Sequence, residues 1–136
     1  MSKFHLDEPI FPGVVCQFRP IVTPVGTANA TLTADDTVEG VVDMTPTASR
    51  TVTTATASAI VAAIGTGVKI GTTFELTIVN SAAATHSLTL TAPTSGGVTL
   101  GGASGMATIS AATSATYVGR VTNVTTPAVT FYRKGG

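Results

Sequence analysis

Few side chains in this sequence can do chemistry, and their spacing limits what each could do. The stretch GTGVKIGTT at 65–73 combines glycines with a lysine, as phosphate-binding loops do. Its Lys69 precedes the final glycine, however, and the stretch follows a predicted helix, whereas phosphate loops run from a strand into a helix. Ser104, within GGASGM, lacks the G-x-S-x-G spacing of a hydrolase nucleophile. Neither glycine-rich stretch predicts a nucleotide or catalytic site.

The usual zinc ligands are scarce, because the chain contains two histidines, His5 and His86, and a single cysteine, Cys16. A structural zinc site needs four such ligands, so one chain cannot complete it from His and Cys alone. His86 has no Asp or Ser at a spacing that indicates a catalytic base, and we expect it to begin a strand with a packing or interface role. A lone Cys16 forms no internal disulfide, which favours synthesis in the cytosol and a role as a small apolar filler.

Acidic residues concentrate between positions 35 and 43, where Asp35, Asp36, Glu39 and Asp43 are four of the seven acids in the chain. The glycine and terminal glutamate of a calcium-binding loop are missing from this stretch. A solvated hairpin turn is therefore the preferred interpretation, with a weak divalent-ion site and an acid–base pair as alternatives. From these residues we predict no catalytic residue, no metal and no cofactor, and a protein that is not an enzyme.

The composition indicates what kind of scaffold holds so few reactive groups. The chain is 43% hydrophobic and 10% charged, and it contains 27 Thr, 19 Ala, 16 Val and 14 Gly. Thr and Val are stiff at the β-carbon and suit a pleated, half-buried surface. The composition therefore predicts an all-β domain whose surface is covered largely by threonine.

Hydrophobic alternation divides the chain into short strands and one helix. In TATASAIVAAIGTG, apolar residues recur at helical spacing from Ala57 to Ile64, with Thr56 as N-cap and Gly65 beyond the C-terminus. The pair of strands at 74–80 and 86–92, FELTIVNSAAATHSLTLTA, predicts a hydrophobic hairpin. The other strands are expected at 30–34, 38–43, 50–54, 68–70, 97–100, 106–110, 115–124 and 127–133. This spacing is typical of a β-sandwich or barrel.

The first 28 residues differ from the rest, since they hold four of the seven prolines and three of the five phenylalanines. Prolines at this density disfavour helix and sheet, while the apolar residues argue against a solvated linker. We predict an extended arm, 1–28, followed by a β-rich knob, 29–136. The arm either docks its Phe4, Phe11 and Phe18 on another protein or lies across its own domain.

Net charge and hydropathy exclude two classes of partner. The formal net charge is zero and the seven basic residues are scattered, which argues against nucleic-acid binding. The N-terminus has no apolar stretch of signal-peptide length, and no segment approaches about 18 consecutive apolar residues. We therefore expect a protein that is neither conventionally secreted nor membrane-spanning.

The last long strands predict self-association. In SATYVGRVTNV, the apolar residues Tyr117, Val118, Val121 and Val124 fall on both faces of one strand. A strand that is apolar on both faces requires cover on both faces. These four residues are the predicted interface of an oligomer.

The stretch 50–133 resembles the small β-rich domains of tailed-bacteriophage virions, the head decoration (cement) and head-fibre knob proteins. The resemblance is carried by RTVTTATASAIVAAI, VKIGTTFELTIVNSAAATHSLTLTA, GVTLGG, ATISAATSATYVGRVTN and AVTFYR. It implies a small β-sandwich or jelly-roll-like knob with one short helix, forming a homotrimer on the outer surface of a capsid. The first 45 residues lie outside the resemblance.

The resemblance also implies a function and a partner. The protein would be made in the host cytoplasm, bind the major capsid protein and stabilise the shell. The arm lies outside the resemblance, and its own residues Phe4, Phe11, Phe18 and Arg19 are the predicted capsid contacts. Two alternatives remain open. One is a tail-fibre or adhesin-type receptor-binding domain that uses the loops SAAATH and TSGGVTLGGASG. The other is a small carbohydrate-active or hydrolytic domain, which would need a pocket that joins His86 to an acid from 35–43.

Overall fold

Strands in two sheets dominate the part of the chain that the structure describes. The computed structural model describes residues 19–135. The strands are β1 Ile21–Val22, β2 Ala30–Thr31, β3 Val41–Met44, β4 Arg50–Thr53, β5 Thr73–Asn80, β6 Leu88–Thr91, β7 Val98–Leu100, β8 Thr108–Ile109, β9 Thr113–Asn123 and β10 Ala128–Gly135. The helices are α1 Ala34–Glu39 and α2 Ala57–Ile64, and a single 3-10 turn spans Ser104–Ala107. The predicted β-rich class is therefore confirmed.

Successive strands from β1 to β9 alternate between the two sheets, and β10 joins the same sheet as β9. The six-stranded sheet has the order β1-β3-β5-β9-β10-β7, and the four-stranded sheet has the order β2-β4-β6-β8. Neighbours within a sheet are therefore often two strands apart in the chain, and the pairs β1/β3, β3/β5, β2/β4 and β4/β6 run parallel. The antiparallel pairs are β5/β9, β9/β10 and β6/β8.

One hydrophobic core receives side chains from both sheets and from both helices. Alternate residues along each strand enter it, as the period of a strand requires. The largest fully buried side chains are Phe131, Met44, Ile60, Leu76, Ile78, Leu88, Leu90, Ile109, Val42, Val52, Val121 and Val129. These are mostly medium-sized aliphatic groups, as the composition indicates.

Helix α2 forms where the sequence predicts it, and its ends have the predicted caps. The Thr56 hydroxyl accepts a hydrogen bond from the Ala59 N–H at 3.3 Å, and Gly65 ends the helix with φ at +98°. Ala57 and Ile60 are buried against the sheets. Burial of this face stabilises a helix that is too short to persist alone in water.

Helix α1 differs from the prediction, which placed strand and hairpin turn in this stretch and expected one helix only. Thr33 and Asp36 form a capping box, in which Thr33 Oγ1 accepts from the Asp36 N–H and Asp36 Oδ2 accepts from the Thr33 N–H, both at 3.2 Å. Asp35 and Asp36 lie in the first turn, where the helix dipole favours negative charge. The helix is six residues long, too short for its buried Thr37 and Val38 to establish a helical period.

The predicted hairpin of 74–80 and 86–92 is wrong in its pairing, although both strands exist. Strand β5 lies between β3 and β9 in one sheet, while β6 lies between β4 and β8 in the other. The connection at 81–87 therefore carries the chain between sheets. The predicted strand at 68–70 is also wrong, because this stretch forms turns that lead into β5.

The last ten residues of the predicted arm are part of the described structure. Strand β1, within 19–28, pairs in parallel with β3. The Gly26 carbonyl accepts hydrogen bonds from the Thr47 N–H at 3.0 Å and from Arg50 Nε at 3.3 Å. Residues 1–18, with Phe4, Phe11 and Phe18, lie outside the described residues, so the boundary between arm and knob stays a prediction.

Candidate interaction face

The residues that could do chemistry are kept apart in the structure. Ser104 is exposed in the 3-10 turn, and His86 is half-buried, with its carbonyl accepting from Asn80 Nδ2 at 2.9 Å. Within residues 19–135 no group of three or more His, Cys, Asp or Glu side chains could hold a metal ion. The same part of the chain contains no helix long and apolar enough to cross a membrane. His5 and Cys16 lie outside the described residues.

The surface with the most concentrated chemistry is the outward side of the six-stranded sheet, here called the outer face. It consists of the residues that alternate with buried ones along β5, β9 and β10. They are Thr73, Glu75, Thr77, Val79, Ser114, Thr116, Val118, Arg120, Thr130, Tyr132 and Lys134. The registers place Glu75 opposite Val118 and Val118 opposite Tyr132. Threonines pair across this face, with Thr77 Oγ1 and Thr116 Oγ1 at 3.1 Å.

A charged cluster occupies the centre of the outer face. Lys134 Nζ donates to Glu75 Oε2 at 2.6 Å, and Arg19 Nη2 lies 4.0 Å from Glu75 Oε1. Arg19 Nη2 also donates to the Glu75 backbone carbonyl at 3.0 Å. The hydrogen bond from Lys134, aided by the charges of Lys134 and Arg19 and partly opposed by desolvation, lowers the pKa of the Glu75 carboxyl. The cluster holds the start of the described chain against the middle of the sheet.

Arg19 is the predicted capsid-contact residue that the structure describes, and its guanidinium is engaged within its own chain. The backbone carbonyl of Pro20 accepts from the Val41 N–H at 3.0 Å, where β3 begins. Strand β3 pairs with β5 only from Thr77 onward, so β3 does not reach the Glu75 carbonyl. The Arg19 guanidinium binds this carbonyl instead. Arg19 therefore anchors the base of the arm.

The four residues predicted for subunit contact divide between two environments. Tyr117 is 2% exposed and Val121 is 0% exposed, because both point into the core of their own chain. Val118 lies on the outer face and Val124 follows β9, and both are half-buried. The outward side of β9 carries Val118 among Ser114, Thr116 and Arg120, and its other side is covered within the single chain.

Buried Tyr117 supports the loop at 101–107. Its hydroxyl donates to the Met106 carbonyl at 2.7 Å, and Arg133 Nη1 donates to the same carbonyl at 3.3 Å and to the Thr108 carbonyl at 2.7 Å. A cavity of about 120 Å³ lies beside the ring, lined also by Phe131 and residues 100–107. Burial raises the pKa of the Tyr117 phenol, and the Arg133 charge partly offsets this.

The raised pKa of Tyr117 predicts a loss of stability in alkali. An unfolded tyrosine ionises near pH 10, whereas the folded one resists ionisation. Its contribution is therefore present below about pH 10 and is lost as the pH rises through the folded pKa. We expect Tyr117→Phe to flatten the alkaline decline in the free energy of unfolding, measured by urea titration, and the control Tyr132→Phe to keep it. Equal declines in wild type and Tyr117→Phe would exclude this contribution.

The sequence predicted only one participant in the charged cluster. Alternation along 73–80 and 128–135 places Glu75 and Lys134 on the solvent side of their strands. This alternation is the sequence signal that could have indicated the two residues. Their meeting depends on β5 and β10 both flanking β9, a fact of sheet order that alternation does not contain.

Fold and surface together define the class of protein as a small β-rich domain with two sheets, two short helices and a Thr-covered surface. No protein-family model, curated protein or solved structure matches this chain at a significant level.

Proposed function

We propose that this chain is a structural protein of a tailed-bacteriophage virion, which decorates the outside of the capsid and stabilises it. In this proposal the two sheets pack as a β-sandwich knob, three knobs associate, and the N-terminal arm binds the major capsid protein. The role is non-catalytic and requires no cofactor. The proposal starts from the resemblance of 50–133 to decoration and head-fibre knob proteins.

The observation that carries the proposal is the way the arm joins the knob. Arg19 is held by the Glu75 carbonyl and carboxylate, and β1 pairs directly with β3. A Pro- and Phe-rich segment of 18 residues therefore joins the knob at a firmly held position. Phenylalanines that insert into pockets between capsid subunits would supply the few large contacts that dominate most interfaces.

The knob itself supports a load-carrying rather than a chemical role. Threonines pair on the outward sides of both sheets, with Thr53 Oγ1 and Thr91 Oγ1 at 2.8 Å in the four-stranded sheet. In the described residues, no buried side-chain nitrogen or oxygen lacks a hydrogen-bond partner. A fully satisfied interior without a cluster of reactive groups suits a particle that must persist outside cells.

Association of three knobs would multiply the weak attachment of single arms, since linked copies bind with avidity. Of the four predicted subunit-contact residues, we retain Val124 for this role through the exposed part of its side chain, since the rest packs against its own core. Tyr117 and Val121 are buried in their own chain, and Val118 lies on the outer face beside the base of the arm.

Removing residues 1–18 tests the proposed attachment. Because Arg19 and β1 remain, the shortened chain should fold and associate like the full chain while losing attachment to capsids that lack the protein. Co-sedimentation with such capsids measures attachment, and thermal unfolding with analytical ultracentrifugation provides the folding and association controls. A shortened chain that decorates shells at full occupancy would overturn the proposed role of the arm.

A further inference from the structure

The outer face contains apolar surface at its edge and at its centre. Ile21 is 70% exposed and pairs with Val41 at the β1 edge, while Tyr132 is 48% exposed next to half-buried Val118. Val79 lies on the same face, two residues beyond Thr77. Apolar groups at both places favour an interaction surface that extends across the sheet, since β3, β5 and β9 separate Ile21 from Tyr132.

Two depressions meet at Glu75, one at the edge of β5 beyond the start of β3, where side chains from both sides of the sheet contribute, and one on the outer face. One, of about 350 Å³, is lined by Arg19, Val38, Thr73, Phe74, Glu75 and Val118. The other, also about 350 Å³, is lined by Glu75, Thr77, Ser114, Thr116, Lys134 and Gly135. The first includes side chains of two valines and an aromatic ring, and both depressions expose more polar than apolar surface. Together they form a track that crosses β5 and β9.

The chain outside the described residues joins the knob at the start of this track. Arg19 lines the first depression, and Phe18 is the residue directly before it. At no more than about 3.5 Å per residue, 18 residues can span roughly 60 Å. Six strands spaced about 4.8 Å apart cover only about 24 Å. Residues 1–18 are therefore long enough to cross the whole face.

The chemistry of residues 1–18 complements the track. The segment carries apolar side chains for the first depression, among them Phe11 and Phe18, and it carries the adjacent acids Asp7 and Glu8. Exposed Arg120 supplies positive charge on the outer face, where Lys134 is paired with Glu75. Opposite charges on the two surfaces favour this alignment over one with a basic partner.

We propose that residues 1–18 of the same chain bind across the outer face, with the Phe18 ring in the depression formed by Val38, Phe74 and Val118. This inference does not depend on the capsid role. Within that role, it means that the arm leaves the face when it binds the shell, so the free protein keeps its apolar anchors covered.

A single tryptophan tests the proposal, because the chain contains none. Phe18→Trp in the full chain should show blue-shifted emission and slow quenching by iodide. Adding Val118→Glu should raise the quenching constant toward that of the urea-denatured chain, because a docked state that is about 90% populated falls to about 10% when it is weakened roughly a hundredfold. Arg120→Glu, at an exposed position, should raise it in the same direction to a smaller extent. Thr89→Glu, at an outward position of β6 in the other sheet, is the matched control and should leave quenching unchanged.

A mixture of two variant chains distinguishes an arm that binds its own knob from an arm that binds the knob of a second copy. Phe18→Trp chains refolded with an excess of Val118→Glu chains that lack tryptophan should keep full protection if each arm binds its own knob. Loss of protection in that mixture would place the arm on a second copy and overturn the proposal. Quenching of Phe18→Trp that equals the denatured value from the start, or that ignores both Val118→Glu and Arg120→Glu, would overturn docking on this face altogether.

Discussion

Asn80→Asp is expected to lower the free energy of unfolding by about 4 kcal/mol at neutral pH, a large fraction of the stability of a small domain. Asn80 is 0% exposed, and its Nδ2 donates to the carbonyls of His86 at 2.9 Å and Ile109 at 3.0 Å. Its Oδ1 accepts from the Ala82 N–H at 3.1 Å. An aspartate would place a buried negative charge against two carbonyl oxygens. Urea denaturation followed by circular dichroism measures the loss.

The same substitution at Asn123 is the matched control. Asn123 is exposed at the end of β9, where its Oδ1 accepts from the Thr125 and Thr126 N–H groups at 2.9 and 3.1 Å. An aspartate keeps both bonds, so we expect a change within about 0.5 kcal/mol. Asn80→Asp should regain part of its stability near pH 4, because protonation removes the buried charge. If both variants are equally stable at neutral pH, the hydrogen bond from Asn80 in β5 to Ile109 in β8 does not stabilise the contact between the two sheets.

Gly119→Ala is expected to lower the free energy of unfolding by about 2 to 3 kcal/mol through overpacking. A β-carbon at this position would lie 2.2 Å from Cζ and 2.5 Å from Cε2 of Phe74. The Phe74 ring cannot move away freely, because it stands edge-on to Phe131 with ring centroids 5.5 Å apart. Thermal and urea denaturation measure the effect.

Two further variants identify the cause of that loss. Gly67→Ala is the control, since a β-carbon there meets nothing within 4 Å, and it should be nearly neutral. Phe74→Leu combined with Gly119→Ala should be more stable than the sum of the two single losses predicts, because the smaller side chain vacates the space. Additive losses would show that the Phe74 ring does not contact the glycine as described.

Helices and strands were predictable from the sequence where caps or a long apolar period mark them. Helix α2 was predictable because Thr56 and Gly65 mark its ends and its apolar period spans two turns. Strands β5, β9 and β10 were predictable from long alternation. Helix α1 has only the Thr33–Asp36 capping signal, and the valines that follow it favour strand.

Pairing between strands was not predictable, because alternation shows which residues are buried but not which strand lies alongside. Strands β5 and β6 have the same pattern in a hairpin as in two different sheets, and the order found here depends on the connection at 81–87 and on buried Asn80. The charged cluster shows the same limit, since Glu75 and Lys134 are 59 residues apart. The division of Tyr117 and Val118 between core and outer face, in contrast, follows from alternation.

The central proposal, a virion protein on the capsid exterior, is tested most directly by gold-labelled antibody against this chain on particles purified from an infected or induced culture. The account predicts label spread over the heads, at many copies per particle. Label confined to the tail or its tip would contradict it in favour of a receptor-binding domain, and particles without label would contradict a virion role of either kind.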